Sequence, residues 1–257
     1  MTMGEGVSTR EPQSRSSGKL AGQRSEVKFW VPSAPMPDAF TTQQVFDLEA
    51  VLSPPRFGTY LRATGGDRPR AMDLYCWNTD LSAAFYVMLQ FCEIGTRNGA
   101  VEAVEAEFGP NWHLNRGFYR SLPRLAGGRG YQPAEDVANQ ARRQPTSGKV
   151  VAELKFAFWQ YLFVRGQDRR LWDRHLRTAF PGIPADLTVP EARGRIHADI
   201  EIIRRLRNRI AHHEPIFSRD LAADHRRIRG LISWRRPDVA TWLDGRETVS
   251  ALLQRRP

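Results

Sequence analysis

The sequence predicts an all-α protein. Between residues 40 and 257, apolar residues recur three and four positions apart in several segments, as they do on one face of a helix. No segment alternates apolar and polar residues for long enough to indicate a sheet, and no internal repeat is present. Hydrophobic residues make up 41% of the chain and charged residues 26%, a balance that allows a buried core. We therefore expect one helical domain at 40–257.

Residues 1–39 differ in composition from the rest of the chain. They are rich in Ser, Gly, Pro and mixed charges, and few apolar residues precede Phe29 and Trp30. Such a segment cannot bury enough apolar surface to offset the entropy lost on ordering. The sequence therefore predicts a disordered N-terminal tail.

Helix-capping and helix-stopping residues define the elements that follow. A first helix is expected between Thr41 or Thr42, either of which is a suitable N-cap, and Pro54, which stops the apolar pattern. A long helix is expected at 81–108, capped by Thr79 or Asp80 and ended by Pro110, and a mobile loop is expected at 120–132. Helices follow at 150–164 and 168–179, then a linker at 181–190 and a helix at 191–214 that Pro215 stops. Short helices starting at Asp220 and Pro237 complete the chain.

Several classes of protein are disfavoured. The longest apolar run, at 156–164, is far shorter than the roughly 20 residues that span a membrane, so no membrane association and a cytoplasmic location are expected. Cys76 and Cys92 are too few for a disulfide framework and lack the spacing of a zinc site. His213 and Glu214 are consecutive and diverge on a helix. We therefore predict no metal and no cofactor.

The charge distribution favours a polyanionic partner. The formal net charge is +10, and the segment 191–236 contains twelve arginines against six acidic residues. An arginine bias can also reflect genome composition and a solvated surface. The position of the charge is more informative than its total, because the excess surrounds one predicted helix.

That helix carries polar residues in unusual places. At about 100° per residue, Ile200, Ile203, Leu206 and Ile210 form a stripe toward the core, and Arg207 falls on the same stripe. A core-facing arginine needs either an ion pair or a partner surface. Arg204, Asn208 and His212 form a second, polar stripe. His212 lies in the last turn, where the helix dipole favours an imidazolium suited to proton transfer; capping free carbonyls is the alternative role.

The segment resembles the R-N-x-x-x-H signature of the HEPN superfamily, with Arg207, Asn208 and His212 at its defined positions. Three further segments, LYCWN at 74–78, EIGTRN at 93–98 and KFAFW at 155–159, make the chain similar to the Abi-like abortive-infection proteins of bacteria over residues 40–257. The resemblance implies a HEPN-like helical bundle with additional helices. It also implies RNA cleavage without metal by a homodimer, as a toxin in phage defence or in a toxin–antitoxin pair with a protein or RNA antitoxin.

The resemblance also suggests individual roles. His212 would move protons and Arg207 would stabilise charge on the phosphorane, while Asn208 orients the imidazole, binds a phosphate oxygen or only bonds to the backbone. The residues expected to bind RNA are Arg204, Arg205, Arg209 and His213. Because residues five apart on a helix point about 140° from each other, a composite site across a two-fold interface is expected.

A second Arg-Asn pair, Arg97 and Asn98, is followed by Glu102 where the motif requires His. Glu93 and Arg97 are therefore expected to form an intrahelical pair that braces the active helix, with Asn98 beside them. Two other functions remain open from the sequence. One is a non-catalytic RNA-binding or scaffold protein with a structural His212, and the other is an antitoxin-like partner.

Overall fold

The computed structural model describes residues 40–123 and 131–257. The described residues form α-helices and no strand, which confirms the all-α class. The predicted tail at 1–39 and most of the predicted loop at 120–132 lie outside them. The helices are α1 Thr42–Leu52, α2 Pro54–Ala63, α3 Arg68–Phe108, α4 Arg116–Ser121, α5 Pro133–Arg143, α6 Ser147–Glu153, α7 Phe156–Leu162, α8 Asp173–Ala179, α9 Val189–Ala211, α10 Leu221–Arg235, α11 Pro237–Asp244 and α12 Val249–Leu253.

The first helix starts where its capping residue predicts. Thr41 accepts a hydrogen bond from the backbone N–H of Gln44, and the Gln44 side chain accepts one from the backbone N–H of Thr41. Pro54 does more than stop α1, because it occupies the first position of α2, where a missing N–H costs nothing.

The long helix α3 organises the rest of the fold. Its 41 residues extend about 60 Å, and it packs against α1, α2, α7, α8, α9, α10 and α12. The predicted start at Leu81 is wrong. Asp67 caps the helix by accepting a hydrogen bond from the backbone N–H of Arg70 at 3.0 Å. The end is confirmed, because α3 stops at Phe108, before Pro110.

The aromatic segment predicted as one helix at 150–164 is two helices. Leu154 and Lys155 adopt extended backbone angles between α6 and α7, so the single-helix prediction is wrong. Leu154, in the break, and Phe156, which follows it, are both buried. Phe158 and Trp159 are buried as predicted. The next predicted helix begins as a π-helical turn, Asp168–Trp172, and continues as α8.

The motif helix α9 is shifted from its predicted bounds. Thr188 and Glu191 form a capping box, so α9 begins at Val189. It ends at Ala211 rather than Glu214, because His213 adopts a left-handed backbone with φ of 55°. The backbone N–H of Glu214 then donates to the carbonyl of Arg209 at 2.8 Å and closes the helix end.

The last helices begin at the predicted residues. Asp220 caps α10 by accepting a hydrogen bond from the backbone N–H of Ala223 at 2.9 Å, and Pro237 is the first residue of α11. Within the described ranges, no helix is both long and apolar enough to cross a membrane.

Candidate functional site

The buried face of α9 fixes the orientation of the motif. Ile200, Ile203 and Leu206 are buried, as the helical wheel predicts. Arg207 is not on the core face, however, since 43% of its side chain is exposed. Packed helices cross at an angle, so the buried face rotates along α9. Near the C-terminus it is centred on Leu206, and Arg207, about 100° around the helix, lies at its border.

Arg207 pairs with the neighbouring helix α3. Its Nε lies 3.5 Å from Oε2 of Glu93. The predicted pair between Glu93 and Arg97 is not formed within ion-pair distance, because Glu93 faces α9 instead. Within the described residues, the buried Nε of Arg97 has no hydrogen-bond partner. The predicted bracing contact between α3 and α9 is thus made by Glu93 with Arg207 itself.

A groove runs between α3 and α9 at this pair. Its volume is about 230 Å³, and Glu93, Arg97 and Arg207 line it together with Leu89, Gln90 and the exposed side chains of Tyr86 and Ile94. Arg207 is therefore accessible to a ligand in solution. Asn98 does not line the groove; it is exposed beside the adjoining cleft between α3 and α10, which shares Gln90 and Ile94 with the groove.

His212 lies on a different side of α9. It caps the C-terminus, with its backbone N–H donating to the carbonyl of Asn208 at 2.9 Å, and its side chain is exposed. Asn208 is half-buried on the same side of the helix. Arg207 and His212 of one chain point about 140° apart, so the two groups do not meet within a single chain.

The arginines predicted to bind RNA all have intramolecular partners. Arg204 Nε donates to Oε1 of the buried Gln160 on α7 at 3.1 Å, and Arg205 pairs with Glu201 one turn earlier. Arg209 donates twice to the carbonyl of Pro215, at 3.0 and 2.7 Å. Arg205 is the most exposed of the three, whereas Arg209 also holds the closed end of α9.

Residues outside the motif build the turn after α9. Asn78 Oδ1 accepts hydrogen bonds from the backbone N–H of Ile216 at 2.8 Å and of Phe217 at 3.1 Å. Arg56 donates to the carbonyl of His213. Asn78 lies in the LYCWN segment, which points to it in the sequence, whereas nothing in the sequence indicates Arg56.

A cleft of about 250 Å³ borders that turn, lined in part by Tyr60, Tyr75, His213 and Glu214. Burial is the main cause that raises the pKa of Tyr60 to about 12, so its hydroxyl stays protonated at neutral pH. His213, exposed at the edge of this cleft, faces a different opening from Arg207. Among the described residues, no three His, Cys, Asp or Glu side chains are grouped in a way that could hold a metal ion.

Comparison of the chain with protein-family models, with curated proteins and with solved structures finds no match.

Proposed function

We propose that this chain is a metal-independent endoribonuclease of the HEPN type, acting as a toxin in phage defence or in a toxin–antitoxin pair. The observation that carries the proposal is the accessibility of the two motif side chains. Arg207 is 43% exposed in an open groove, and His212 is exposed at the end of the same helix. Neither is sealed in the core, so both can reach an RNA phosphodiester.

The two side chains suit the chemistry of RNA cleavage. The ribose 2′-hydroxyl is an internal nucleophile, and its oxygen attacks phosphorus as His212 accepts its proton. The bond from phosphorus to the 5′ oxygen breaks, and that oxygen leaves with the proton that the His212 imidazolium gives up, which restores the neutral imidazole. Arg207 stabilises the negative charge on the phosphorane. The products are a 2′,3′-cyclic phosphate and a 5′-hydroxyl.

A second copy of the chain supplies the geometry that one copy lacks. Val87, Phe91 and Ile94 of α3, with Trp242 of α11, form an exposed apolar surface that we call the α3 ridge; its members are 36% to 49% exposed. Ile94 also lines the Arg207 groove, so ridge and groove are continuous. Two-fold packing of the ridges buries apolar surface and brings two motif helices together. The proposed enzyme is therefore a homodimer with a composite site.

The activity test uses purified protein and total RNA in EDTA. The wild type is expected to cleave RNA and leave cyclic phosphate ends, whereas Arg207→Ala and His212→Ala abolish cleavage. Arg70→Ala, which removes an exposed arginine at the start of α3, serves as the matched control and retains activity. RNA binding without cleavage by the wild type contradicts the proposal and supports a non-catalytic RNA-binding protein.

The dimer has its own test. Phe91→Glu places a charge on the α3 ridge and is expected to give a monomer by light scattering, with loss of cleavage. Leu114→Glu alters an apolar side chain that is 61% exposed away from the ridge and should change neither property. A monomeric wild type that cleaves RNA contradicts the composite site.

The cellular role is tested by induction in bacteria. Induction of the wild-type chain is expected to arrest growth, whereas induction of the His212→Ala chain is expected to leave growth unchanged. Co-expression of an antitoxin is expected to relieve the arrest. Unaffected growth on induction of the wild type, together with inhibition of a toxin by this chain, contradicts the toxin role and supports an antitoxin-like partner.

A further inference from the structure

A basic cleft lies between α9 and α10, away from the motif. Its volume is about 400 Å³, and its charged lining residues are Arg195, Asp199, Arg226 and Arg227. Arg195 is twelve residues before Arg207 on α9, about 18 Å along the helix axis. The cleft is thus separate from the proposed catalytic groove.

The cleft carries a local excess of positive charge. Asp199 is the carboxylate among its lining residues, and it is shared, with an oxygen 4.0 Å from Arg195 Nε and the other 3.5 Å from Arg227 Nε. Asp224 Oδ1 lies 3.7 Å from Arg227 Nη1, but this carboxylate already accepts hydrogen bonds from Arg219, from Nε at 2.8 Å and from Nη2 at 3.2 Å. The cleft is therefore lined by three guanidinium groups and one carboxylate.

Arg226 is the cation with the greatest freedom to bind. Its side chain is exposed, and it has no acidic partner among residues 40–123 and 131–257. A guanidinium offers five N–H donors in a fixed fork, which matches the oxygens of a phosphate group. Arg226, which has no acidic partner among the described residues, lies beside two arginines that Asp199 neutralises only in part. Together they form a suitable binding site for a dianion.

The walls of the cleft restrain two of its three cationic groups, Arg195 and Arg227. The guanidinium of Arg195 lies 5.3 Å from the ring centroid of Trp234, a cation–π contact that fixes its orientation. Asp199 restrains Arg195 and Arg227 from α9. Gly230 on α10 leaves open space, because nothing lies within 4 Å of the position that its Cβ would occupy. Two of the three cations are thus oriented before a ligand binds, and there is room above the backbone of α10 for that ligand.

We propose that this cleft binds phosphate groups, either of an RNA backbone or of a free nucleotide. Its excess of two positive charges matches one phosphate monoester dianion or two neighbouring phosphodiesters. The volume of the cleft exceeds what one phosphate requires and admits the attached ribose. Phosphate binding at this cleft requires no RNA cleavage and is therefore independent of the proposed nuclease activity.

The test measures binding by calorimetry in the full chain carrying His212→Ala, which prevents cleavage of the probe. The probes are pyrophosphate, adenosine monophosphate and a short single-stranded oligoribonucleotide. We expect saturable binding of at least one probe, weakened about tenfold or more by Arg226→Glu, because a charge-assisted phosphate contact becomes repulsive. Gly230→Glu, which places a carboxylate in the cleft and favours the helix, should weaken it as well.

Arg70→Glu is the matched control, since it reverses one exposed charge at the start of α3. It should change the affinity less than about twofold at physiological salt, where distant charges are screened. Equal losses in Arg226→Glu and Arg70→Glu, or no saturable binding of any probe, overturn the proposal. If only the oligoribonucleotide binds, the cleft takes the RNA backbone; if the two small probes bind and the oligoribonucleotide does not, it takes a nucleotide.

Discussion

Arg207 on α9 and Glu93 on α3 face each other across the groove, with Nε 3.5 Å from Oε2 and with 43% and 28% of their side chains exposed. A pair at this distance and exposure is weak, because water screens it. In the proposed enzyme, Glu93 holds the guanidinium toward α3 in the absence of RNA. A phosphate that binds Arg207 must compete with this carboxylate.

Glu93→Gln is expected to tighten binding of a single-stranded oligoribonucleotide about threefold, because it removes a negative charge that competes with phosphate. Fluorescence anisotropy in the His212→Ala chain measures the affinity without cleavage. Glu105→Gln removes an exposed charge further along α3 and should have a smaller effect. The gain should disappear when Arg207→Ala is added; a gain that persists shows that Glu93 does not act through Arg207.

Arg209 is expected to stabilise the end of α9 more than Arg205 does. Its two hydrogen bonds to the carbonyl of Pro215 hold the turn that follows the helix, so Arg209→Ala should lower the free energy of unfolding by about 1 kcal/mol. Arg205→Ala breaks only a surface pair with Glu201 and should cost about 0.5 kcal/mol or less. Urea unfolding measures both, and equal costs would contradict the structural role.

Local signals predict much of the fold. Thr41, Asp220 and Pro237 begin helices as expected, because caps and N-terminal prolines act through bonds within a few residues. The bounds that are wrong depend on packing between distant segments. The 150–164 region breaks near Leu154 because both sides of the break reach the core, which the spacing of apolar residues alone does not reveal.

The site is less predictable than the helix that carries it. The wheel places Ile203 and Leu206 in the core correctly, but treats α9 as a straight rod with one fixed buried face. Arg207 is exposed because that face rotates near the helix end, where it is centred on Leu206. The pairing of Glu93 with Arg207 instead of Arg97 has the same origin, since a tertiary neighbour replaces the one an isolated helix would offer.

His113 should make the protein less stable at mildly acidic pH. Its side chain is buried, its Nδ1 has no hydrogen-bond partner among the described residues, and burial lowers its pKa below the usual 6.5. Below pH 6.5 His113 binds a proton in the unfolded chain but not yet in the folded chain. The free energy of unfolding therefore falls as the pH falls. Urea unfolding between about pH 8 and pH 5 should show a smaller loss for His113→Gln than for the wild type. Parallel curves for the two proteins would contradict this assignment.

Asn78 is expected to be the most sensitive polar position near the site. Its buried side chain satisfies two backbone N–H groups, of Ile216 and Phe217, in the turn after α9. Asn78→Ala leaves both donors without a partner and should lower the free energy of unfolding by about 2 kcal/mol.

Asn98→Ala is the matched control for that substitution, because Asn98 is exposed on the same helix. It should lower the free energy of unfolding by less than about 0.5 kcal/mol. Since the turn held by Asn78 also sets where α9 ends, Asn78→Ala should reduce RNA cleavage at temperatures where the chain is still folded. A variant with full stability and reduced cleavage would instead place Asn78 in contact with RNA, and one unchanged in both would show that the turn is held by its other contacts.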